Sequence, residues 1–311
     1  MLITLHALLI PMTFALGAAV GSFSNVCIYR IPWEKSLVWP ASTCPRCLSP
    51  IAARDNWPIL GWLLLGGRCR SCKEPISARY PSIEALVGLL FVAAYLADVA
   101  YVGDRLMMGD VLVQSMLRAG YHQLLLAFLV VATFIDYDHM IIPDEVTITG
   151  MVVGLGFAAL VPGVRPEPGT AATAIASLKV GGIGLLAGGL LVAVVRFLGT
   201  LAFRREAMGF GDVTLLAMIG AFLGWQAAVL TFFLAPFFGL AHAGWKVVNL
   251  AWKLISGRPR TGSDHELPFG PYLSMAATGL VLGWPWIWPG WADPLFRQLS
   301  VVFWFMVGLE R

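Results

Sequence analysis

Asp136 and Asp212 are the residues of this chain whose type and setting could do chemistry. Each lies beside an apolar run, where an unpaired carboxylate is expensive. Asp136 follows residues 124–135, and Asp212 precedes residues 213–223 and closes the stretch Gly209-Phe210-Gly211-Asp212. About twelve residues separate each aspartate from the far end of its apolar run, about 18 Å at the helical rise. That is well short of the roughly 30 Å hydrocarbon thickness of a bilayer. If both helices start from the same outer face, the carboxylates share one layer below the opposite surface. Two adjacent carboxylates cannot readily both ionise, so the pair holds a proton and can act as base and acid together. The chemistry expected is peptide hydrolysis by an aspartyl pair inside a membrane. Gly209 and Gly211 would allow close backbone approach beside the carboxylate.

The second constellation is Cys44-Pro45-Arg46-Cys47 with Cys69-Arg70-Ser71-Cys72. Four thiolates on two tight turns suit tetrahedral zinc, and four ligands close the site, so its role would be structural. Two disulfides or a redox pair are the alternative. A reducing compartment argues against stable disulfides, and no thioredoxin-like βαβ pattern surrounds the pairs. The loop has little apolar mass, so a metal would supply much of its folding energy. Cys27, in the first apolar run, reads as a packed small side chain.

The elements that must position these groups are helices in a membrane. The chain of 311 residues is 58% hydrophobic and only 13% charged, against about a quarter charged in soluble domains. Mean hydropathy is +0.77. Apolar segments lie near residues 3–29, 83–101, 121–136, 146–162, 173–201, 211–224, 226–250 and 268–288. The fold expected is all-α and polytopic, with about eight transmembrane helices and a small cytoplasmic zinc-binding cysteine domain between helices 1 and 2. The first segment lacks a basic n-region and reads as a retained helix rather than a leader. Lys and Arg set the orientation. Arg30, Lys35, Arg46, Arg54, Arg68, Arg70, Lys73 and Arg79 share one side with Arg204, Arg205, Lys246, Lys253, Arg258 and Arg260. The other side has Arg105, Arg118, Arg165 and Arg297. The cysteine loop is therefore expected in the cytoplasm and the N-terminus outside, with both aspartates at cytoplasmic helix ends. The turn 137–145, with no Lys or Arg, conflicts with the charge rule. Trp284, Trp286, Trp288 and Trp291 suggest an aromatic belt at the outer face. No basic, aromatic-interleaved tract points to nucleic acid.

Bland readings compete at the other polar positions. Asp138 points to a different helix face from Asp136 and reads as solvated or substrate-contacting. Asp144 reads as an N-cap, and Asp212 has an N-cap reading too. Asn25 suits a helix–helix hydrogen bond. Arg30 suits an interfacial anchor, and Arg196 an inward-snorkelling cation. Glu84 is expected either to be capped by its turn or to pair with Arg79. His139, His242 and His265 show no metal-ligand spacing.

The motifs, taken in order, resemble the type IV prepilin leader peptidases with N-methyltransferase activity, a GxGD intramembrane aspartyl protease family. Gly21 to Val26 with Tyr29-Arg30-Ile31-Pro32 resembles the first-helix signature, and Cys44 to Tyr80 the cytoplasmic cysteine domain. Phe134-Ile135-Asp136-Tyr137-Asp138 with Ile142-Pro143-Asp144 resembles the first aspartate motif. Gly209 to Asp212 matches GxGD, and Leu267 to Tyr272 resembles the last-helix motif. The resemblance implies a bifunctional enzyme of the bacterial inner membrane. It would cut the basic leader from prepilins or type II secretion pseudopilins on the cytoplasmic side, after a glycine. It would then methylate the new N-terminal residue with S-adenosylmethionine. It makes Asp136 and Asp212 the catalytic dyad and points to the cytoplasmic domain, including Gly66 and Gly67, for methylation. No strand–GxGxxG–helix pattern for that cofactor occurs in the chain. The organisation expected is a first transmembrane helix at 1–30, a zinc-binding domain at 31–82, a peptidase domain at 83–290 and a tail at 291–311 that hydropathy does not place.

Two rival classes stand beside this. A proton-coupled transporter could use the aspartates as a relay, but ordered broken repeats are not found. A zinc-bearing scaffold would leave the matched aspartate depths unexplained. Prepilin cleavage, liposome flux, or neither separates the three.

Overall fold

The computed structural model describes residues 2–99, 109–164, 173–204, 206, 208–255 and 268–306. Arg105, Arg165, Arg205, Arg258, Arg260, His265, Leu267 and tail residues 307–311 lie outside the described residues. The described chain is helical: α1 (Leu2–Arg30), α2 (Leu60–Leu64), α3 (Arg79–Asp98), α4 (Gly109–His139), α5 (Asp144–Leu160), α6 (Ala174–Phe203), α7 (Phe210–Leu223), α8 (Trp225–Ile255), α9 (Gly270–Ile287) and α10 (Asp293–Met306). Among the described residues there is no strand, only the isolated bridges Thr43–Pro50 and Arg68–Pro75. Five segments are long and apolar enough to cross a membrane alone: His6–Trp33, Arg79–Asp98, Val111–His139, Ala174–Phe203 and Trp225–Asn249. With α5, α7 and α9 beside them, helices occupy all the apolar segments expected, and the protein is a multi-pass membrane protein.

The bundle closes where small residues let backbones touch, as expected without a hydrophobic drive between helices in lipid. A Cβ on Gly17 would stand 2.8 Å from Gly88 Cα, and one on Gly21 would stand 2.7 Å from Glu84 Cα, so α1 lies directly on α3. On the other side, Gly184 of α6 and Gly220 of α7 face one another backbone to backbone. Helix α7 is apolar all round and accordingly central: Val213 and Leu215 to Leu223 are all buried. Its 14 residues rise about 21 Å, less than the hydrocarbon thickness. Asp212, near its start, is thus held inside the bundle.

Helix α4 begins well before the expected residue 121. Polar residues had broken its apolar run, yet several of them find partners inside the bundle. Gln114 donates to Pro162 O (3.3 Å), Arg118 to Val164 O (3.3 Å), Gln123 to Phe91 O (3.0 Å), and buried His122 pairs with Asp98 of α3 at 2.6 Å. The tryptophan cluster divides. Trp284 and Trp288 are buried and stacked, centroids 4.8 Å apart, whereas Trp286 and Trp291 are exposed as an aromatic belt would be.

Candidate active site

Asp136 lies in the last turn of α4 and is buried. Its Oδ2 accepts a hydrogen bond from Gly270 N–H, the first residue of α9, at 3.1 Å. A helix N-terminus presents unpaired N–H groups and a positive dipole end, which suits an anion in a dry site. Asp212 is the third residue of α7, also buried, and takes a backbone hydrogen bond from Gly209. The N-cap of α7 is Gly209 itself, in extended conformation. Each carboxylate is therefore held at a helix N-terminus, Asp212 at its own and Asp136 at that of α9. The two lie close enough to interact electrostatically.

Glycine is required on both sides of this pair. A Cβ on Gly270 would fall 2.5 Å from Asp136 Oδ2 and 2.8 Å from Ile142 Cδ1; one on Gly211 would fall 2.7 Å from Ile142 Cβ. Ile142, in the turn between α4 and α5, thus keys the GxGD segment to the start of α9. Arg196 of α6 fastens the approach to the same motif. It donates to Met208 O (3.0 Å) and lies 5.9 Å over the Phe210 ring. Gly270 and Ile142 stood inside recognised motifs, but nothing in the sequence said that they meet across the site.

The neighbouring acids have other work. Asp138 forms a two-bond pair with Arg79 of α3, 3.0 and 2.5 Å, and Arg79 also lies 5.2 Å over the Phe134 ring. The turn that lacked its own cation is thus served by one from α3. Glu84, expected at its own turn or at Arg79, instead accepts from Ile59 N–H at 2.6 Å and from Ser22. Asp144 is not an N-cap. Extended Pro143 takes that position, and Asp144 is the first helical residue, where its charge suits the dipole. Asn25 makes the expected interhelical bond, to Tyr80 O at 3.1 Å. Arg30 donates to Ser36 O and Pro40 O, tying the start of the loop to α1.

The cysteine loop sits at the same end of the bundle, joined through Trp33 on His139 (6.0 Å) as well as through Glu84. Its two halves are built alike. Cys44 N–H bonds to Ser49 O and Leu48 N–H to Cys44 O; Cys69 N–H bonds to Glu74 O and Lys73 N–H to Cys69 O. Leu48 and Lys73 both turn at positive φ, 57° and 59°. The four sulfurs lie within 4.8 Å of one another, with Cys44–Cys72 at 3.8 Å and Cys47–Cys69 at 3.9 Å. Sulfurs about 2.3 Å from one tetrahedral ion stand about 3.8 Å apart, and no disulfide links them. The Ser49 hydroxyl and N–H hold the Cys47 thiol down at about 6, as suits a thiolate ligand. The backbone at Cys72 and Ser71 lowers Cys69 too. At Cys72 the Glu74 N–H pulls down, but burial and the other sulfurs outweigh it and push the thiol up to about 12. Four thiolates at this spacing would need a cation between them. The cluster fits a metal ion held by Cys44, Cys47, Cys69 and Cys72.

Gly66 and Gly67 close α2 with φ of +60° and +67°. A Cβ on Gly67 would strike the Trp62 ring at 2.8 Å, whereas one on Gly66 would meet nothing within 4 Å.

Fold and site together define a multi-pass helical membrane protein with a buried aspartate pair and a four-cysteine cluster at one end. Residues 15–97 match the bacterial peptidase A24 N-terminal domain, and residues 123–244 match the type IV leader peptidase family. Among curated relatives, a Myxococcus xanthus prepilin leader peptidase/N-methyltransferase is 35% identical over 291 residues, covering 93% of this chain and 75% of its own. One of the same name from Aeromonas hydrophila is 33% identical, covering 92% of each. A third, from Klebsiella pneumoniae, is 38% identical over 71% of this chain and 88% of its own. No solved structure matches. The chain belongs to the type IV leader peptidase family.

Proposed function

We propose that this protein cleaves the leader peptide of type IV prepilins or type II secretion pseudopilins and N-methylates the residue thereby exposed. The observation that carries the reading is the convergence of Asp136 and Asp212, buried at one end of the bundle and each held by a helix N-terminus. One aspartate, ionised, takes a proton from water as its oxygen attacks the scissile carbonyl carbon. The other, protonated, donates to the carbonyl oxygen. The C–N bond then breaks and the leaving amine takes up a proton. Gly209 and Gly211 keep the backbone close to Asp212, and Gly270 N–H orients Asp136.

The cysteine domain, residues 31–82, supports the second activity. Zinc, held by Cys44, Cys47, Cys69 and Cys72, closes its two knuckles and supplies folding energy rather than chemistry. S-adenosylmethionine, when bound, supplies the methyl group. Gly66, with open space where a side chain would stand, and Gly67 beside it belong to the region assigned to methylation. The peptidase part spans residues 83–290, after a first transmembrane helix at 1–30, and residues 291–311 form the tail. The location proposed is the bacterial inner membrane, with the N-terminus outside and dyad and cysteine domain facing the cytoplasm. The excess of Lys and Arg on that side supports this orientation.

Purified protein should convert a prepilin to a shortened product whose new N-terminus carries a methyl group only when S-adenosylmethionine is added. Intact-mass analysis reads both steps. An uncut prepilin with well-folded, metal-loaded protein would refute the peptidase reading. A cut but unmethylated product would refute the second activity alone.

A further inference from the structure

Helix α2 carries an apolar face that the cysteine domain does not cover. Leu60, Leu63 and Leu64 share one side of the helix, at i, i+3 and i+4, and are 51%, 57% and 83% exposed. Trp57, in the turn that leads into the helix, is 63% exposed. The opposite side packs inward: Gly61 is buried against Asp55 O, and Trp62 donates to Ile76 O at 3.0 Å. The face is therefore presented rather than left over from a loose fold.

Its height is fixed by the membrane helices. Pro58-Ile59-Leu60 forms a tight turn, with Leu60 N–H on Pro58 O at 2.5 Å and Ile59 at φ 61°. A β-branched residue is rarely found there. Glu84 of α3 accepts from that Ile59 N–H, Ser22 of α1 bonds the same carboxylate, and Gly21 lies against the Glu84 backbone. Glu84 is about 7.5 Å along α3 from Arg79, and its side chain leans back toward the helix start, so Ile59 is met about 5 Å inside that level. Arg79, paired with Asp138, marks the polar end of the bundle. Beyond Glu84 the outer surface of α3 is lipid-facing, with Leu86 and Leu89 39% and 61% exposed. The loop also exposes basic side chains that an anionic surface would attract. Asp55 is taken up by Arg70 and Glu74 by Arg46, while Arg54, Arg68 and Lys73 are exposed.

We propose that the Leu60–Leu63–Leu64 face of α2, with Trp57 from the turn before it, lies in the headgroup–acyl boundary of the leaflet on the cysteine domain's side. It acts as an interfacial wedge that seats the cysteine domain on the bilayer. Interfacial amphipathic helices sit at this depth, with the apolar face about 5–10 Å into the boundary and basic residues beside it. Glu84 is the positioning residue, clamping the wedge to α3.

The test places the photocrosslinking residue p-benzoylphenylalanine at Leu64 of the full-length, metal-loaded protein in phosphatidylethanolamine–phosphatidylglycerol vesicles. The same probe at Leu89 serves as the lipid-facing reference, and at Arg46 as the solvent reference. Lipid adduct at Leu64 should come within about threefold of Leu89 and exceed Arg46 about tenfold. A yield no higher than at Arg46 would overturn the proposal. So would adducts chiefly to a second copy or to added prepilin, which would make the face a protein-docking surface. Should the Leu64 variant lose its metal, Leu60 provides the second position, read by the same criteria.

Discussion

Around α7 the helices meet backbone to backbone, and the side chains from Leu215 to Leu223 are all buried. Between Trp33 and Ser77 the same chain leaves Trp33, Val38, Trp39, Leu48, Trp57 and Leu64 largely exposed. The first region is held by packing, the second by two turns of identical hydrogen bonding around four sulfurs. The difference follows from what each must do. A carboxylate pair inside a membrane has to be fixed by rigid neighbours, because misplacement of about 1 Å can cost about 100-fold in rate. A small loop with almost no core needs only a staple.

Removing the metal should separate the two regions most sharply. Chelation, or the Cys44→Ser, Cys69→Ser double variant, should lower zinc from about one per chain toward none and abolish hydrogen-exchange protection from 42 to 77. Structural zinc is worth about 10 kcal/mol or more to such domains. The bundle should keep its helical signal. A metal-free wild type with a normally protected loop would show that the sulfurs are not its staple.

The geometry of the dyad should break at a single methyl. Gly270→Ala would place a Cβ against Asp136 Oδ2 and Ile142. Cleavage should fall about 100-fold, about 3 kcal/mol in the barrier, while zinc content and helical signal stay at wild type and stability falls by about 1–3 kcal/mol from the overpacking. Unchanged cleavage would mean that α9 does not position Asp136.

Much of this comparison could be read in the sequence. Uninterrupted apolar runs marked the helices, and CxxC spacing marked the knuckles. What could not be read was polar pairing across the bundle. Residues Gln114 to Gln123 hid the start of α4, because hydropathy counts a polar group as exposed even when Asp98, Phe91, Pro162 and Val164 satisfy it. Arg79 and Glu84 are close in sequence yet point to Asp138 and to Ile59, since partner choice depends on how α1, α3 and α4 cross. Asp144 carried the chemistry of a cap, but the preceding proline had already set the extended geometry of that position. At the site itself the sequence marked the two aspartates by depth. The N–H of Gly270, 134 residues from Asp136, emerges only when α9 is folded against α4.

The smallest effect should come from the α3–α4 ion pair at the polar end of the bundle. Arg79→Ala and Asp138→Asn each remove a partly exposed pair, worth about 1 kcal/mol or less. Together they should cost little more than Arg79→Ala alone, because Asp138→Asn breaks only the ion pair that Arg79→Ala has already removed, whereas Arg79→Ala also loses the contact with the Phe134 ring. Thermal melts of the two single variants and the double variant check this. Full additivity would show that Arg79 and Asp138 act separately.

The central claim is that Asp136 and Asp212 act as one catalytic pair. It is tested most directly by prepilin cleavage in detergent with folded, metal-loaded Asp136→Asn and Asp212→Asn proteins. Each should be inactive, and the double variant should be no worse than either single one, because losses within a unit do not add. Methyl transfer to a pre-cleaved substrate should survive in both. Substantial turnover by either single variant would contradict the account.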